Sequence, residues 1–213
     1  MMLRFLIVAA MLGTPALAAA QDPTQTLPAA YKVQFENDYV RIVRVHLDGG
    51  VKLPDHTHPA GTTLYVYLTD AEGVVFTHSG GSRSTITRPP VKAGAMRIAA
   101  GREEHHTVEN TSPAASDFLR VIVKTDNAGI RNLRQRLSPA DRQFENRQMR
   151  VRRITVEQHG SVTIDAKEPA LLIELPGGEA RWIDAGTSQT IEHHDAPDLQ
   201  LIRVDFLTSP AKR

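Results

Sequence analysis

Cysteine is absent from all 213 residues. No disulfide can cross-link the fold and no thiolate can ligate a metal, so stability must come from packing. An excess of one charge is also absent. Lys+Arg 25 against Asp+Glu 24 leaves a net charge of +1, which excludes a broad basic surface for nucleic acid or anionic membrane. No G-x-S-x-G, no phosphate-cradling glycine loop and no paired-carboxylate signature occurs, so hydrolase and nucleotide-binding readings have no support. The apolar run "FLIVAAMLG" (Phe5 to Gly13) is too short to span a bilayer. Helical periodicity is scarce throughout.

That short apolar run follows Arg4 and precedes small residues at Ala18 and Ala20. Together they read as a cleaved secretory signal over residues 1–20. A lipid anchor would need a cysteine, and a twin-arginine pair is missing, so general export to the periplasm or exterior is expected, without stable membrane insertion after cleavage. "QDPTQTLPAA" (residues 21–30) lacks periodicity and reads as a flexible leader.

From Tyr31 the chain becomes short β-like runs separated by turn residues. "YVRIVRVHL" alternates Val43, Val45 and Leu47 against Arg44 and His46, as a half-buried strand does. "TTLYVYLT", "GVVFTHS", "STITR", "AMRIA" and "DFLRVIVK" follow, with Gly80-Gly81 as a hairpin signal. Many short, evenly spaced strands point to an all-β antiparallel barrel or jelly roll. Ile130, Leu133 and Leu137 recur at helical spacing before Pro139, which predicts a helical connector over 126–143.

The two halves resemble each other. "FENDYVRIVRV" and "FENRQMRVRRI" start 109 residues apart at Phe35 and Phe144, and "DHTHPA" (Asp55 to Ala60) matches "DAKEPA" (Asp165 to Ala170). "GAMRIAAG" matches "GEARWIDAG", placing Arg97 beside Arg181, and "LRVIV" matches "LQLIRV". Four matches in one order indicate duplication. The expected domains are a barrel over 31–125 and a shorter second barrel over 144–209.

His56 and His58 are two residues apart, so on a strand both point to one face and can share a cation. A third donor would come from "GREEHHTVEN", on a strand that can fold back beside the first. Adjacent His105 and His106 face opposite ways, and parity alone does not choose between them.

Residues Gly50 to Asn110 resemble the cupin superfamily. Gly50, five residues, then His56-Thr57-His58 follow its first motif, and Gly94, the Ala100-Gly101 turn and His106-x3-Asn110 follow its second. The acidic ligand position falls at Thr62 or Thr63, and the second motif lacks its proline. The resemblance implies two tandem cupin-type barrels, the second degenerate, with His56, His58 and His106 as ligands of one divalent ion; His105 is the alternative to His106. It also implies a homodimer formed through barrel edges. Three neutral imidazoles would leave the ion's charge intact, favouring anionic chelating substrates. Cupin-like dioxygenases of diketones and thiols resemble such a three-histidine site. The ion is Zn, Cu, Fe, Mn or Ni, and the affinity order favours Cu²⁺ and Zn²⁺.

Weaker pocket candidates are Thr62 as a small residue opening space, Glu104 as a substitute carboxylate and Arg97 as a substrate contact. His78 is either a pocket residue or a core histidine. With unbroken strand parity from His58, the aliphatic face Leu64, Val66 and Leu68 lines the pocket, unless Pro59-Ala60-Gly61 breaks the register. His193-His194 lacks a partner pair. In the second copy the ligand positions become Ala166 and Glu168, with Thr190 and Ile191 in the region matching His106. That copy is expected to be metal-free and structural. The expected function is metal-dependent oxygenation of a small chelating substrate. The alternatives are a non-enzymatic metal or small-ligand binder and a structural barrel with a decayed site.

Overall fold

The computed structural model describes residues 22–79 and 82–211. The expected signal segment and the Gly80-Gly81 turn lie outside the described residues. The chain enters through a short helix, α1 (Pro23–Thr26), where a mobile leader was expected. Asp22 caps it by accepting from the Thr24 amide at 3.0 Å, with Pro23 in the first turn. An Arg41–Asp22 ion pair pins this turn to the barrel. Four residues of helix are too few to leave a periodic signature, but the cap chemistry was present in "DPT".

The first barrel is built from ten strands. They are β1 (Tyr31–Glu36), β2 (Val40–Leu47), β3 (Lys52–His58), β4 (Gly61–Tyr67) and β5 (Val74–His78). Then come β6 (Ser84–Thr87), β7 (Met96–Gly101), β8 (Glu104–Asn110), β9 (Ser116–Val123) and β10 (Arg134–Leu137). A six-stranded sheet β1-β2-β9-β4-β7-β10 faces a four-stranded sheet β3-β8-β5-β6. Between them lies an apolar core containing Val43, Val45, Tyr65, Tyr67, Val108 and Phe118.

The second barrel is smaller: β11 (Gln143–Glu145), β12 (Met149–Val156), β13 (Gly160–Ala166), β14 (Ala170–Leu175), β15 (Ala180–Ile183), β16 (Thr187–His193) and β17 (Leu199–Phe206). Its sheets are β11-β12-β17-β14-β15 and β13-β16. A continuous apolar layer joins the barrels, with Ile42, Leu64, Val66 and Ile98 from the first against Met149, Leu171, Ile173 and Phe206 from the second. The large sheets are therefore apolar on both faces, one lining a barrel and the other the junction. Trp182 closes the edge of this junction, its ring 5.4 Å from Tyr39 and 6.2 Å from Phe35.

Strand register matches the two halves residue by residue. Arg120 lies opposite Val43 and Tyr65, and Tyr65 opposite Arg97. Arg203 lies opposite Arg152 and Leu172, and Leu172 opposite Arg181. Val43 and Arg152 are 109 residues apart, the spacing of the Phe-Glu-Asn repeat. Arg97 and Arg181 are thus equivalent, as are Arg120 and Arg203.

The connector is not helical. Residues 134–137 form β10, paired with β7 from Arg134↔Ala99 to Leu137↔Met96. Leu133 and Leu137 share a face at a spacing of four in a helix and in a strand alike, so the pattern was ambiguous. The open edge of β7 decided it by supplying hydrogen-bond partners. Ala128, Gly129 and Asn132 take positive φ values just before β10, which is turn backbone and not helix.

Candidate metal centre

The site grows from an irregularity in β3. Leu53 pairs with Val108, whereas His56 pairs with His106, so three steps on β3 match two on β8. The extra residue is a β-bulge at Pro54-Asp55, a place that tolerates proline's missing N–H. The bulge reverses parity, so Leu53 joins the barrel core and His56 and His58 also face inward. On β8 the inward residues are His106, Val108 and Asn110. Asn110 is structural: its amide donates to the carbonyls of Leu47, Asp48 and Ala114 and ties the adjoining turns together.

His56, His58 and His106 converge, each offering a ring nitrogen, with those atoms all within 4.8 Å of one another. They are 6, 5 and 3% exposed. Burial, first of all, lowers the pKa of each; His106 is pushed down to about 3, with His56, His78, Arg120 and Arg88 adding to the effect. All three imidazoles are neutral, which is the form that ligates metal. The Pro54 carbonyl accepts from His56 Nδ1 at 2.8 Å, leaving Nε2 to accept from the Tyr31 hydroxyl at 3.0 Å. Both ring nitrogens of His106 are buried with no hydrogen-bond partner, a costly state for groups with nothing to bind.

Arg120 approaches the trio from β9. Its Nη1 lies against both ring nitrogens of His58, 2.8 Å from Nε2. His58 therefore accepts from a guanidinium, and the positive charge stands next to a donor set that holds no carboxylate. The donors fit a divalent ion in number, spacing and protonation. His56 and His58 would exchange their Tyr31 and Arg120 hydrogen bonds for it.

A cavity of about 960 Å³ opens beside the trio, lined by His58, Thr63, Tyr65, Phe76 and His78 among others. The candidates sort clearly against it. His78 lines the cavity, its ring 5.4 Å from that of His106. Glu104 lies at the rim with Oε2 4.0 Å from His106 Nδ1. Arg97 lines the wall, its guanidinium 5.0 Å from the Tyr65 ring. His105 also reaches the cavity lining but stands apart from the trio, bonded to Thr57 and Glu103 at 2.8 Å each.

Two expectations are corrected. Thr63 and Tyr65, not Thr62 and Leu64, face the cavity, because Gly61 (φ 146°) and the Pro59-Ala60 turn break parity between β3 and β4. Thr62, with Leu64 and Val66, takes the opposite face of the strand. In the second copy, the residue opposite Ala166 is Thr187, not Thr190 or Ile191. Ala166 and Ile191 pack in that barrel's apolar interior, and Arg181 pairs with Glu174 at 3.3 Å. His193 bonds the Pro197 carbonyl, and His194 stands 3.6 Å from Glu192, far in sequence and sheet from the trio.

Sequence reasoning missed Tyr31, Arg88 and Arg120. The signal for Arg120 was a charge inside "FLRVIV", an otherwise apolar strand; an arginine there is buried and has to be matched. Tyr31 and Arg88 carried no local signal, since only the closing of the barrel brings them to the histidines.

Two antiparallel barrels with a histidine trio inside the first define the class: a tandem jelly roll, the architecture that the cupin resemblance of the sequence implied. Among solved structures the chain is similar to a putative glyoxylate-induced protein from Pseudomonas aeruginosa, at TM-score 0.56 and 11% identity over 86% of this chain and 80% of that one. It is also similar to vicilin from tomato, at TM-score 0.54 and 12% identity over 80 and 75% of the two chains. AerE from Microcystis aeruginosa matches at TM-score 0.51 and 13% identity over 84 and 97%. At these identities the likeness is one of fold. No family model and no curated protein matches the sequence.

Proposed function

We propose that this protein is an exported cupin that holds one divalent metal ion through His56, His58 and His106 and binds a small chelating molecule beside it. The observation that carries the reading is His106, whose two buried ring nitrogens lack partners while they face two other neutral imidazoles. A divalent ion there would supply Lewis acidity and open coordination positions for a chelating substrate, the chemistry metal-dependent dioxygenation uses. The chain's own groups set the rest. Tyr31 and the Pro54 carbonyl orient His56, and Phe76 packs its ring edge-on, 5.2 Å from that of His106. Tyr65 and Phe76 give part of the cavity wall an aromatic face. Residues 1–20, with Arg4 and the short apolar run, support export.

A non-enzymatic binder is the second reading, and Arg120 favours it. A guanidinium on His58 with no carboxylate ligand opposes tight retention of a cation, as a binding or carrier protein can tolerate. Elemental analysis of the purified protein beside a His56→Ala/His58→Ala variant tests both readings. About one equivalent of a divalent metal in the parent and none in the variant is expected. Metal-free parent protein after incubation with Zn²⁺, Cu²⁺, Ni²⁺, Mn²⁺ or Fe²⁺ would sink both. Substrate-dependent oxygen uptake then separates enzyme from binder.

A further inference from the structure

The duplicated barrels differ in how they neutralise one row of arginines. In the second barrel, Arg203 bonds Asp205 at 2.7 Å, Arg152 bonds the same carboxylate at 2.8 Å, and Arg181 bonds Glu174 at 3.3 Å. Asp205 lies two residues beyond Arg203, and Glu174 two beyond Leu172, so each acid shares a strand face with the row it serves. In the first barrel the equivalent positions are Ile122, two beyond Arg120, and Tyr67, two beyond Tyr65. Arg97 and Arg120 remain, Val43 stands where the second barrel has Arg152, and the acids are gone.

Arg120 and Arg97 flank Tyr65 in one cross-strand row, and Arg136 follows Arg97. Arg88 comes in from the end of β6. The Arg88, Arg97 and Arg120 guanidinium carbons lie 5.6, 5.0 and 5.7 Å from the Tyr65 ring centre, and Arg88 also lies 4.2 Å over Phe76. Among the described residues, none of the three has a carboxylate within 4.0 Å. Arg120 is 6% exposed and its Nε has no partner. Aromatic faces offset part of the desolvation of a guanidinium, yet they are not counter-charges. Of the other charged residues lining the cavity, Arg102, Arg134 and Arg136 add cations, and the acids are Glu103, held by His105, and Glu104, near His106.

We propose that Arg88, Arg97 and Arg120 form an anion subsite that takes the carboxylate groups of a small organic acid and holds it beside the histidine trio. This deepens the proposed function by naming its substrate class, and rests on it only in treating this cavity as the ligand site. Planar guanidiniums match carboxylates through paired N–H donors, and burial strengthens such bonds. The aromatic rings of Tyr65 and Phe76 give a carbon skeleton a surface to lie on, which inorganic phosphate does not need. When a carboxylate takes up Arg120, His58 is released for the metal, so acid and metal binding favour each other.

Calorimetric titration of the metal-free protein tests this with malonate, its neutral isostere malonamide and inorganic phosphate. Malonate is expected to bind and malonamide not to bind. Arg97→Gln and Arg88→Gln should each weaken malonate about tenfold, the loss of one charge-assisted contact. Arg181→Gln, the paired counterpart in the second barrel, should leave it unchanged and controls for general effects of removing an arginine. Malonamide binding as well as malonate, phosphate binding in place of malonate, no malonate binding, or unchanged affinity in Arg97→Gln would each overturn the proposal. Because no metal is present, such a failure leaves the metal reading standing, and metal content measured separately decides that one.

Discussion

His106 concentrates the physics of the site in one residue. Its ring is buried, unpartnered and held neutral to a pH of about 3. In the unfolded chain the same imidazole takes up a proton near its ordinary value of 6.5. Above that value both states are neutral and this residue makes stability independent of pH. Below it the unfolded state binds the proton and the fold does not, so stability falls with pH through the window down to about 3. The slope amounts to about 1.4 kcal/mol per pH unit for one such group. Thermal melts of the metal-free protein should therefore lose stability between pH 6 and about pH 4, and His106→Gln should shallow that loss. A variant whose melting temperature tracks the parent at every pH would show that the ring is not held neutral. His56 and His58 were legible because a two-residue spacing on a strand has one geometric meaning. Parity did not separate His106 from His105, since it has no origin until a neighbouring strand fixes it; the cupin resemblance, through the spacing to Asn110, is what named His106.

The decisive element is β3 with its bulge. The bulge admits Asp55 as an extra residue while Leu53 stays opposite Val108 and His56 stays opposite His106. Deleting Asp55 keeps both pairings but puts Pro54, which has no N–H, into the ladder and moves the carbonyl that holds His56 Nδ1. The deletion variant is expected to lose metal while keeping its far-ultraviolet circular dichroism. Unchanged metal content would mean that the bulge does not aim the rings. β4 shows the opposite case. The Pro59-Ala60-Gly61 turn shifts its parity, so a pattern read straight through from His58 assigned the aliphatic face to the cavity, and the structure places Tyr65 there. β10 was misread for a related reason: Leu133 and Leu137 satisfy both periods, and only the vacant edge of β7 distinguishes them.

At the scale of the molecule, the barrels share one apolar layer and are expected to unfold together. Leu64, Val66 and Ile98 on one side, and Leu171, Ile173 and Val204 on the other, are all at most 0% exposed. Ile173→Ala should cost about 2–5 kcal/mol and lower one common transition, followed by Trp182 fluorescence and by circular dichroism. Two separated transitions would show that each barrel is stable alone. The all-β class, the duplication and the histidine pair could be read from the chain, because period-two alternation, recurring turn residues and i, i+2 spacing are local properties. Which faces meet is not local. The inward row Arg120, Tyr65 and Arg97 comes from three strands between 23 and 55 residues apart in pairs, and the loss of its acids became visible only when strand register aligned it with Arg203, Leu172 and Arg181. Closing the barrel brought Tyr31, Arg88 and Arg120 to the histidines, since burial and charge neutralisation depend on neighbours that the order of residues alone does not specify.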